Sequence, residues 1–163
     1  MAGVGNTLRS DDGFGVAVAR RLEAMALPEG VRVVETGISG MTLVQELMDG
    51  YDALVVLDTV DRGRPPGTIM LIEPDLPDPA TMTPDQRHQL TADTHIATPS
   101  RVMLMAKAMG ALPEQVLLIG CQPVDAEALG MELSPEVTAA VEVAIAEVER
   151  HLAELGAGVP EGI

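Results

Sequence analysis

The chain opens with MAGVGNTLRSDDGFG (residues 1–15), the stretch around which the rest of the sequence is organised. Gly3 and Gly5 allow a tight backbone turn with positive φ angles. Asn6 can hydrogen-bond its own main chain in such a turn. The stretch therefore predicts a turn, followed by the N-terminus of a helix.

Two adjacent carboxylates lie just before this helix. Ser10, Asp11 and Asp12 precede an apolar run with helical period that begins at Phe14, which is where helix caps belong. One carboxylate would suffice as a cap, because a helix start has few unpaired N–H groups and a small positive partial charge. We therefore assign Asp11 as a cap or a solvent-exposed carboxylate and keep Asp12 as a candidate functional group.

The start of the chain departs from the usual pattern. A glycine turn of this kind normally follows a central parallel strand, but only Met1 and Ala2 precede it here. We expect a truncated first strand, with the true start upstream, or else a gap in the sheet that costs backbone hydrogen bonds and packing.

Composition excludes several classes of partner. The chain has 163 residues, of which 47% are hydrophobic, so we expect one domain over residues 1–155 and a flexible tail over 156–163. Phe14 and Tyr51 are its aromatic residues, which leaves no stacking platform for bases. The formal charge of -15 repels phosphate backbones and anionic lipids. We therefore expect neither a nucleic acid nor a membrane partner.

Cys121 is the single cysteine, so an internal disulfide is impossible. A buried, inert thiol is the usual state of a lone cysteine, and a cysteine protease would need it paired with a base. No positively charged segment followed by an apolar run opens the chain, so we expect a cytoplasmic protein.

Short apolar runs alternate with helical periods along the chain. The predicted strands are 31–35, 53–57, 68–72 and 116–119, and the predicted helices begin near residues 14, 41, 99 and 135, the last capped by Ser134 and reaching about Leu155. Residues 73–93 hold four prolines and no period, which indicates a long functional loop. The alternation predicts an α/β three-layer sandwich with a mostly parallel central sheet.

Ligands of such sheets bind at the carboxyl ends of the strands. Four residues stand at or near that edge: Asp12 after the first turn, Glu35 and Asp58 at strand ends, and His95 before a helix. We expect all four to face one crevice.

A set of motifs supports one family. They are GVGNTL (3–8) with DDGFG (11–15), GISGM (37–41), LD (57–58) and TH (94–95). In this order the chain resembles the hydrogenase maturation endopeptidases over nearly its whole length. Such enzymes, with a phosphorylase/hydrolase-like fold, remove a C-terminal extension from the large subunit of nickel-iron hydrogenase after nickel insertion. The resemblance implies the same activity here, the large-subunit precursor as partner and a monomeric enzyme.

The resemblance also implies a ligand set. In that family two acidic side chains and one histidine bind the metal, and they match Asp12, Asp58 and His95 here. Asp12 stands where the family often carries Glu; the shorter side chain draws the backbone nearer to the metal. Glu35 matches an acidic position where Asp is common. Asp12, Asp58 and Glu35 are therefore the catalytic candidates.

Two carboxylate oxygens and one imidazole nitrogen form a facial set that leaves coordination positions open. Such a set suits a divalent metal already held by the thiolates of another protein. The resemblance implies that nickel arrives in the substrate, although other divalent metals can occupy the site. A water polarised by the metal or by a free carboxylate would attack the peptide carbonyl. Both routes stay open.

Other interpretations compete with this one. His88 lies in the same loop as His95, whereas His151 sits on a charged helix. A dinucleotide fingerprint would need glycine where Leu8 stands, and the Gly-Lys-Ser or Gly-Lys-Thr of a phosphate-binding loop is absent. Peptidyl-tRNA hydrolases share a Gly-x-Gly-Asn start, but the charge of -15 opposes tRNA. The main alternative is a non-catalytic chaperone that checks nickel with the same ligands.

Overall fold

In this computed structural model, residues 1–86, 88 and 98–156 are described. They include five strands: β1 (Ala2–Val4), β2 (Val34–Gly37), β3 (Ala53–Thr59), β4 (Ile69–Ile72) and β5 (Gln115–Cys121). These strands form one sheet in the order β2-β1-β3-β5-β4, in which β4 runs antiparallel to β5 and the other neighbours are parallel.

Helices cover both faces of the sheet. They are α1 (Phe14–Glu23), α2 (Gly40–Leu47), α3 (Pro99–Ala108) and α4 (Pro135–Glu154). Side chains of α1 and α4 share one buried cluster, and those of α2 and α3 share another. The predicted three-layer α/β architecture with a mostly parallel sheet is thus confirmed. None of the described helices is long and apolar enough to cross a membrane.

Strand β3 is buried on both faces, as its unbroken apolar run predicts. Val55 and Leu57 belong to the cluster of α1 and α4, whereas Leu54 and Val56 belong to that of α2 and α3. Side chains alternate along a strand, so Asp58 continues the face covered by α2 and α3. The next residue, Thr59, takes the opposite face.

The first strand is short but present. Ala2 is aligned with Val34 of β2 and with Val56 of β3, which puts β1 between them. The backbone N–H of Val34 also donates to Met1 O at 2.9 Å, which extends the pairing by one residue. The predicted short first strand is therefore confirmed, and the alternative of a gap in the sheet is wrong, because three residues suffice to pair with both neighbouring strands.

Several local predictions need correction. Strand β2 begins at Val34, three residues later than predicted. Helix α1 has Gly13 as its N-cap and no side-chain cap, so neither Asp11 nor Ser10 caps it. Helix α4 is capped as predicted, because Ser134 Oγ accepts from Val137 N at 3.4 Å.

The predicted long loop carries some structure of its own. Residues Pro79–Thr81 form a short 3-10 helix capped by Asp78, and helical backbone also occurs at 84–86. Lys107 of α3 donates to Leu76 O at 2.8 Å and ties this segment to the helix. The rest of the segment, with His95, lies outside the described residues, as does the predicted tail beyond residue 156.

Helix α1 packs with its backbone directly against the sheet. A Cβ atom on Gly15 would lie 2.0 Å from Leu57 O and 2.4 Å from Val4 O. A Cβ atom on Gly3 of β1 would lie 2.5 Å from Gly15 O. These two glycines therefore permit the close approach that sets residues 10–13 above the carboxyl ends of β1 and β3.

We expect Gly15→Ala to lower the free energy of unfolding by about 3 kcal/mol, because the methyl group would overlap two carbonyl oxygens that belong to the sheet. Gly13→Ala is the matched control, since a Cβ there would lie 3.4 Å from its nearest neighbour at an ordinary φ of -75°. Urea denaturation compares the two variants. Equal stabilities would show that the helix can move away from the sheet at no cost.

Candidate active site

The turn after β1 holds the carboxylate of Asp12. Gly5 has a φ of 128°, and a Cβ atom on it would lie 1.9 Å from the backbone oxygen of Asp12. Asn6 N donates to Asp12 Oδ2 at 2.8 Å, and Asn6 Oδ1 accepts from Leu8 N at 2.9 Å. The predicted turn at Gly5 and Asn6 is confirmed. Gly3, by contrast, serves the packing of α1 and lies within β1 rather than in the turn.

Asp58 stands near the end of β3 and is 7% exposed. Its pKa is raised to about 7, chiefly because burial disfavours the charged form; a backbone hydrogen bond from Thr59 lowers the pKa, and the negative charge of Asp12 contributes to the rise. Asp12 follows β1 and Asp58 lies near the end of the neighbouring parallel strand β3, so both residues stand at the carboxyl edge of the sheet. Near neutral pH the Asp58 carboxyl is therefore divided between its protonated and ionised forms.

Asp11 is fully buried and has a different role from the one predicted. Its Oδ2 accepts from Val124 N at 2.8 Å, Asp125 N at 3.2 Å and Ser134 Oγ at 3.0 Å. Its Oδ1 accepts from Ser134 N at 2.7 Å. Asp11 is thus neither a helix cap nor a solvent-exposed carboxylate, because the N–H groups it satisfies belong to the segment between β5 and α4.

The backbone of Asp11 completes this connection. Thr59 Oγ1 donates to the carbonyl oxygen of Asp11 at 2.7 Å. Thr59 follows Asp58 and Asp11 precedes Asp12, so this hydrogen bond joins the two places where the candidate ligands are held. The sequence shows the pair of adjacent carboxylates. It does not show the hydrogen-bond partners of the Asp11 carboxylate, which lie more than 100 residues away in the chain.

Gln122 is a second buried polar residue without a sequence signal; it is 5% exposed. Its Oε1 accepts from Arg62 N at 2.8 Å and Arg64 N at 3.1 Å, and its Nε2 donates to Asp61 Oδ1 at 2.9 Å. This side chain fixes the loop that follows β3. It thereby shapes the backbone just beyond Asp58.

Glu35 is not brought to the carboxylate pair. Arg20 of α1 donates to both of its carboxylate oxygens, at 3.0 and 3.1 Å. This contact lies on the face of the sheet covered by α1, whereas Asp58 lies on the opposite face. A catalytic role for Glu35 therefore stays a prediction that rests on the resemblance.

The third candidate ligand, His95, lies outside the described residues. Within the described ranges, no group of three Asp, Glu, His or Cys side chains is arranged to hold a metal ion. His88, the alternative histidine ligand in the same segment, is among the described residues, and its side chain is exposed. The set of Asp12, Asp58 and His95 therefore stays a prediction, for which the structure supplies two carboxylates at one edge.

Cys121 is unsuited to nucleophilic catalysis. It ends β5 and is fully buried. Burial, and to a smaller extent the charge of Asp11, raises the pKa of its thiol to about 12. The reactive thiolate is therefore suppressed near neutral pH, in agreement with the inert role expected from the sequence.

We expect Asp11→Asn to lower the free energy of unfolding by about 3 kcal/mol. Both carboxylate oxygens accept from N–H groups, so an amide in either orientation would set one donor against another. Asp125→Asn is the control, because Asp125 is exposed and uses only Oδ1 to accept from Glu127 N and Ala128 N. Equal urea midpoints for the two variants would contradict the role of Asp11.

We expect Asp58→Asn to stabilise the fold at pH 8. The folded pKa of about 7 lies above the ordinary value of 3.8, so the stability associated with this carboxyl is complete below pH 3.8 and is lost as the pH rises through 7. The amide that replaces the carboxyl does not ionise, so the variant does not lose this stability. The resulting gain in the free energy of unfolding is at most about 4 kcal/mol at pH 8.

The gain should shrink toward pH 4, and Asp52→Asn, which changes an exposed carboxylate just before the same strand, is the matched control. Urea denaturation across this range measures both variants. A gain for Asp58→Asn that does not vary with pH would argue against a raised pKa.

Comparison with known proteins identifies the family. The family model for hydrogenase maturation proteases matches residues 16–151. The hydrogenase expression/formation protein HupD of Rhodobacter capsulatus is 40% identical over 99% of this chain and 74% of its own. The hydrogenase maturating endopeptidase HybD from E. coli has a similar structure, with a TM-score of 0.73 and 29% identity over 95% of this chain and 91% of its own.

A further solved structure agrees with this assignment. The hydrogenase 2 maturation peptidase from a Thaumarchaeota archaeon gives a TM-score of 0.66 and 34% identity, covering 96% of this chain and 97% of its own. Sequence, fold and the carboxylates at the sheet edge therefore lead to one conclusion. The chain belongs to the hydrogenase maturation protease family, whose members are peptidases that process hydrogenase precursors.

Proposed function

We propose that this protein is the endopeptidase that removes the C-terminal extension of a nickel-iron hydrogenase large-subunit precursor after nickel insertion. The observation that carries the proposal is the placement of Asp12, after β1, and Asp58, near the end of the neighbouring parallel strand β3, at one carboxyl edge of the sheet. Membership of the maturation protease family supports the substrate class. We further propose a cytoplasmic monomer, to which the charge of -15 is suited.

In this proposal nickel is part of the substrate. Asp12, Asp58 and His95 recognise it by supplying two oxygens and one nitrogen while the precursor retains its own ligands. Asp58 must lose its proton to bind, because metal ligands act in their deprotonated form. Its pKa of about 7 makes that proton loss easy near neutral pH. A precursor without nickel would leave the carboxylates without a partner and would not be aligned for cleavage.

Cleavage then follows the ordinary course of peptide hydrolysis. A water oxygen attacks the scissile carbonyl carbon, the C–N bond breaks, and the departing amine takes up a proton. Two sources could polarise the water: the nickel ion, or a carboxylate oxygen of this chain that does not coordinate the metal. In the second case the reaction is of the aspartic type, with the uncoordinated oxygen of Asp12 or Asp58 as the base.

We expect His95→Ala to abolish nickel-dependent processing, because the removal of one of three ligands leaves too few to position the ion. His88→Ala is the matched control from the same segment and should process normally. The measurement is the mass of the precursor C-terminus after incubation with each variant, with and without nickel. Normal cleavage by His95→Ala would remove His95 from the mechanism.

The same assay separates the proposal from its main alternative. A specific mass loss with the wild-type protein, seen only with nickel, identifies a protease. A nickel-dependent complex without any mass loss identifies a non-catalytic chaperone.

The variant Glu35→Gln tests the catalytic role that the resemblance implies for Glu35. Loss of cleavage with an unchanged fold would support that role. Full activity would show that the carboxylate of Glu35 serves only its contact with Arg20.

A further inference from the structure

Three apolar side chains beside the candidate site are exposed to solvent. Leu8, Leu129 and Met131 are 58%, 89% and 79% exposed. Leu8 belongs to the turn that leads to Asp12, and the other two belong to the segment between β5 and α4. We call these three residues the apolar platform.

The backbone joins the two parts of the platform. Gly130 N donates to Leu8 O at 3.1 Å, and Ser10 N donates to Gly130 O at 2.8 Å. These two hydrogen bonds form a parallel bridge between Arg9 and Gly130. Leu129 and Met131 flank Gly130, so all three apolar side chains project from one bridged pair of segments.

Side chains reinforce the bridge. Ser10 adopts a φ of 41°, which is unusual outside glycine, and its Oγ donates to Glu132 O at 3.0 Å. Arg9 Nη1 lies 2.7 Å from Glu127 Oε2. The buried carboxylate of Asp11 holds both ends of the same segment, near Val124 and at Ser134. The platform is therefore fixed in place although its apolar side chains remain largely exposed.

We propose that the apolar platform is a docking surface for an apolar segment, flanked by basic residues, of the hydrogenase large-subunit precursor; this inference rests on the proposed function. Exposed apolar side chains on a rigid support are suited to binding, because little conformational entropy is lost when the partner arrives. Leu8 lies four residues before Asp12, so at most about 14 Å of extended chain separates them, and one macromolecule is large enough to contact both.

Charge and size favour the precursor over a second copy of this chain. Asp125 and Glu132 are exposed on the platform segment, and their carboxylates complement lysine or arginine on the partner. A second copy carries a charge of -15 itself and is repelled. Three side chains also cover only part of the roughly 800 Å² per partner that a stable interface buries. A small surface suits a substrate that must be released after cleavage.

The test compares two double variants. Leu129→Gln with Met131→Gln removes apolar surface from the platform. Met48→Gln with Met109→Gln is the matched control, because these side chains are 61% and 54% exposed and follow α2 and α3, which return the chain to the opposite edge of the sheet. The probe is the purified nickel-loaded precursor of the source organism with its C-terminal extension intact. Its affinity is measured by surface plasmon resonance, and KM and kcat come from C-terminal processing.

We expect the platform variant to lose affinity roughly tenfold or more and to raise KM with kcat unchanged, since docking residues act before the chemical step. The control variant should match the wild type. Unchanged affinity and KM in the platform variant, or a wild-type dimer in light scattering that the platform variant lacks, would overturn the docking proposal. If the wild type binds the precursor without cleaving it, the proposed protease function fails while the loss of affinity still supports docking. Absence of wild-type binding would overturn both.

Discussion

The buried carboxylate of Asp11 is the constraint on which the carboxyl edge of the sheet depends. It accepts hydrogen bonds from the segment between β5 and α4, while its own carbonyl oxygen accepts from Thr59 of β3. One residue thus connects the turn after β1 with the ends of two other strands. A charged group this deeply buried is tolerable only when its hydrogen bonds are satisfied. The hydrogen bonds of Asp11 therefore hold in place the backbone next to Asp12 and the backbone next to Asp58.

Three carboxylates close together in space have three different environments. Asp11 is saturated by N–H and O–H donors, and Asp12 accepts a hydrogen bond from the turn at Asn6. Asp58 is buried with weaker compensation, which raises its pKa to about 7. Environments that give neighbouring acidic groups different pKa values are common at functional sites. Asp11 is thus the structural carboxylate, and in the proposed function Asp58 is one of the two carboxylates that would bind the metal ion.

The sequence was sufficient for the architecture, because alternating periods and the buried run of β3 depend on local pattern. It also indicated Asp12 and Asp58, since the ends of parallel strands meet at one edge. It failed for Asp11, whose hydrogen-bond partners at residues 124, 125 and 134 are remote in sequence. The glycine turn predicted a short first strand, but three residues show no period that would predict how β1 pairs. For Glu35, a strand-end position does not reveal the face of the sheet, and the structure places its carboxylate against Arg20 of α1.

The energetics of the site bear on why the metal would come with the substrate. A free ion in solution must displace the proton of Asp58 and organise ligands from separate segments, so its net gain is small. In the proposed function, an ion carried by a precursor docked on Leu8, Leu129 and Met131 would meet the same carboxylates at a high effective concentration. The proposed metal site and the apolar platform would then act together, and neither alone would retain the precursor. Removal of nickel from the precursor would cancel one of the two contributions, which makes cleavage sensitive to the state of the metal centre without requiring this chain to hold nickel by itself.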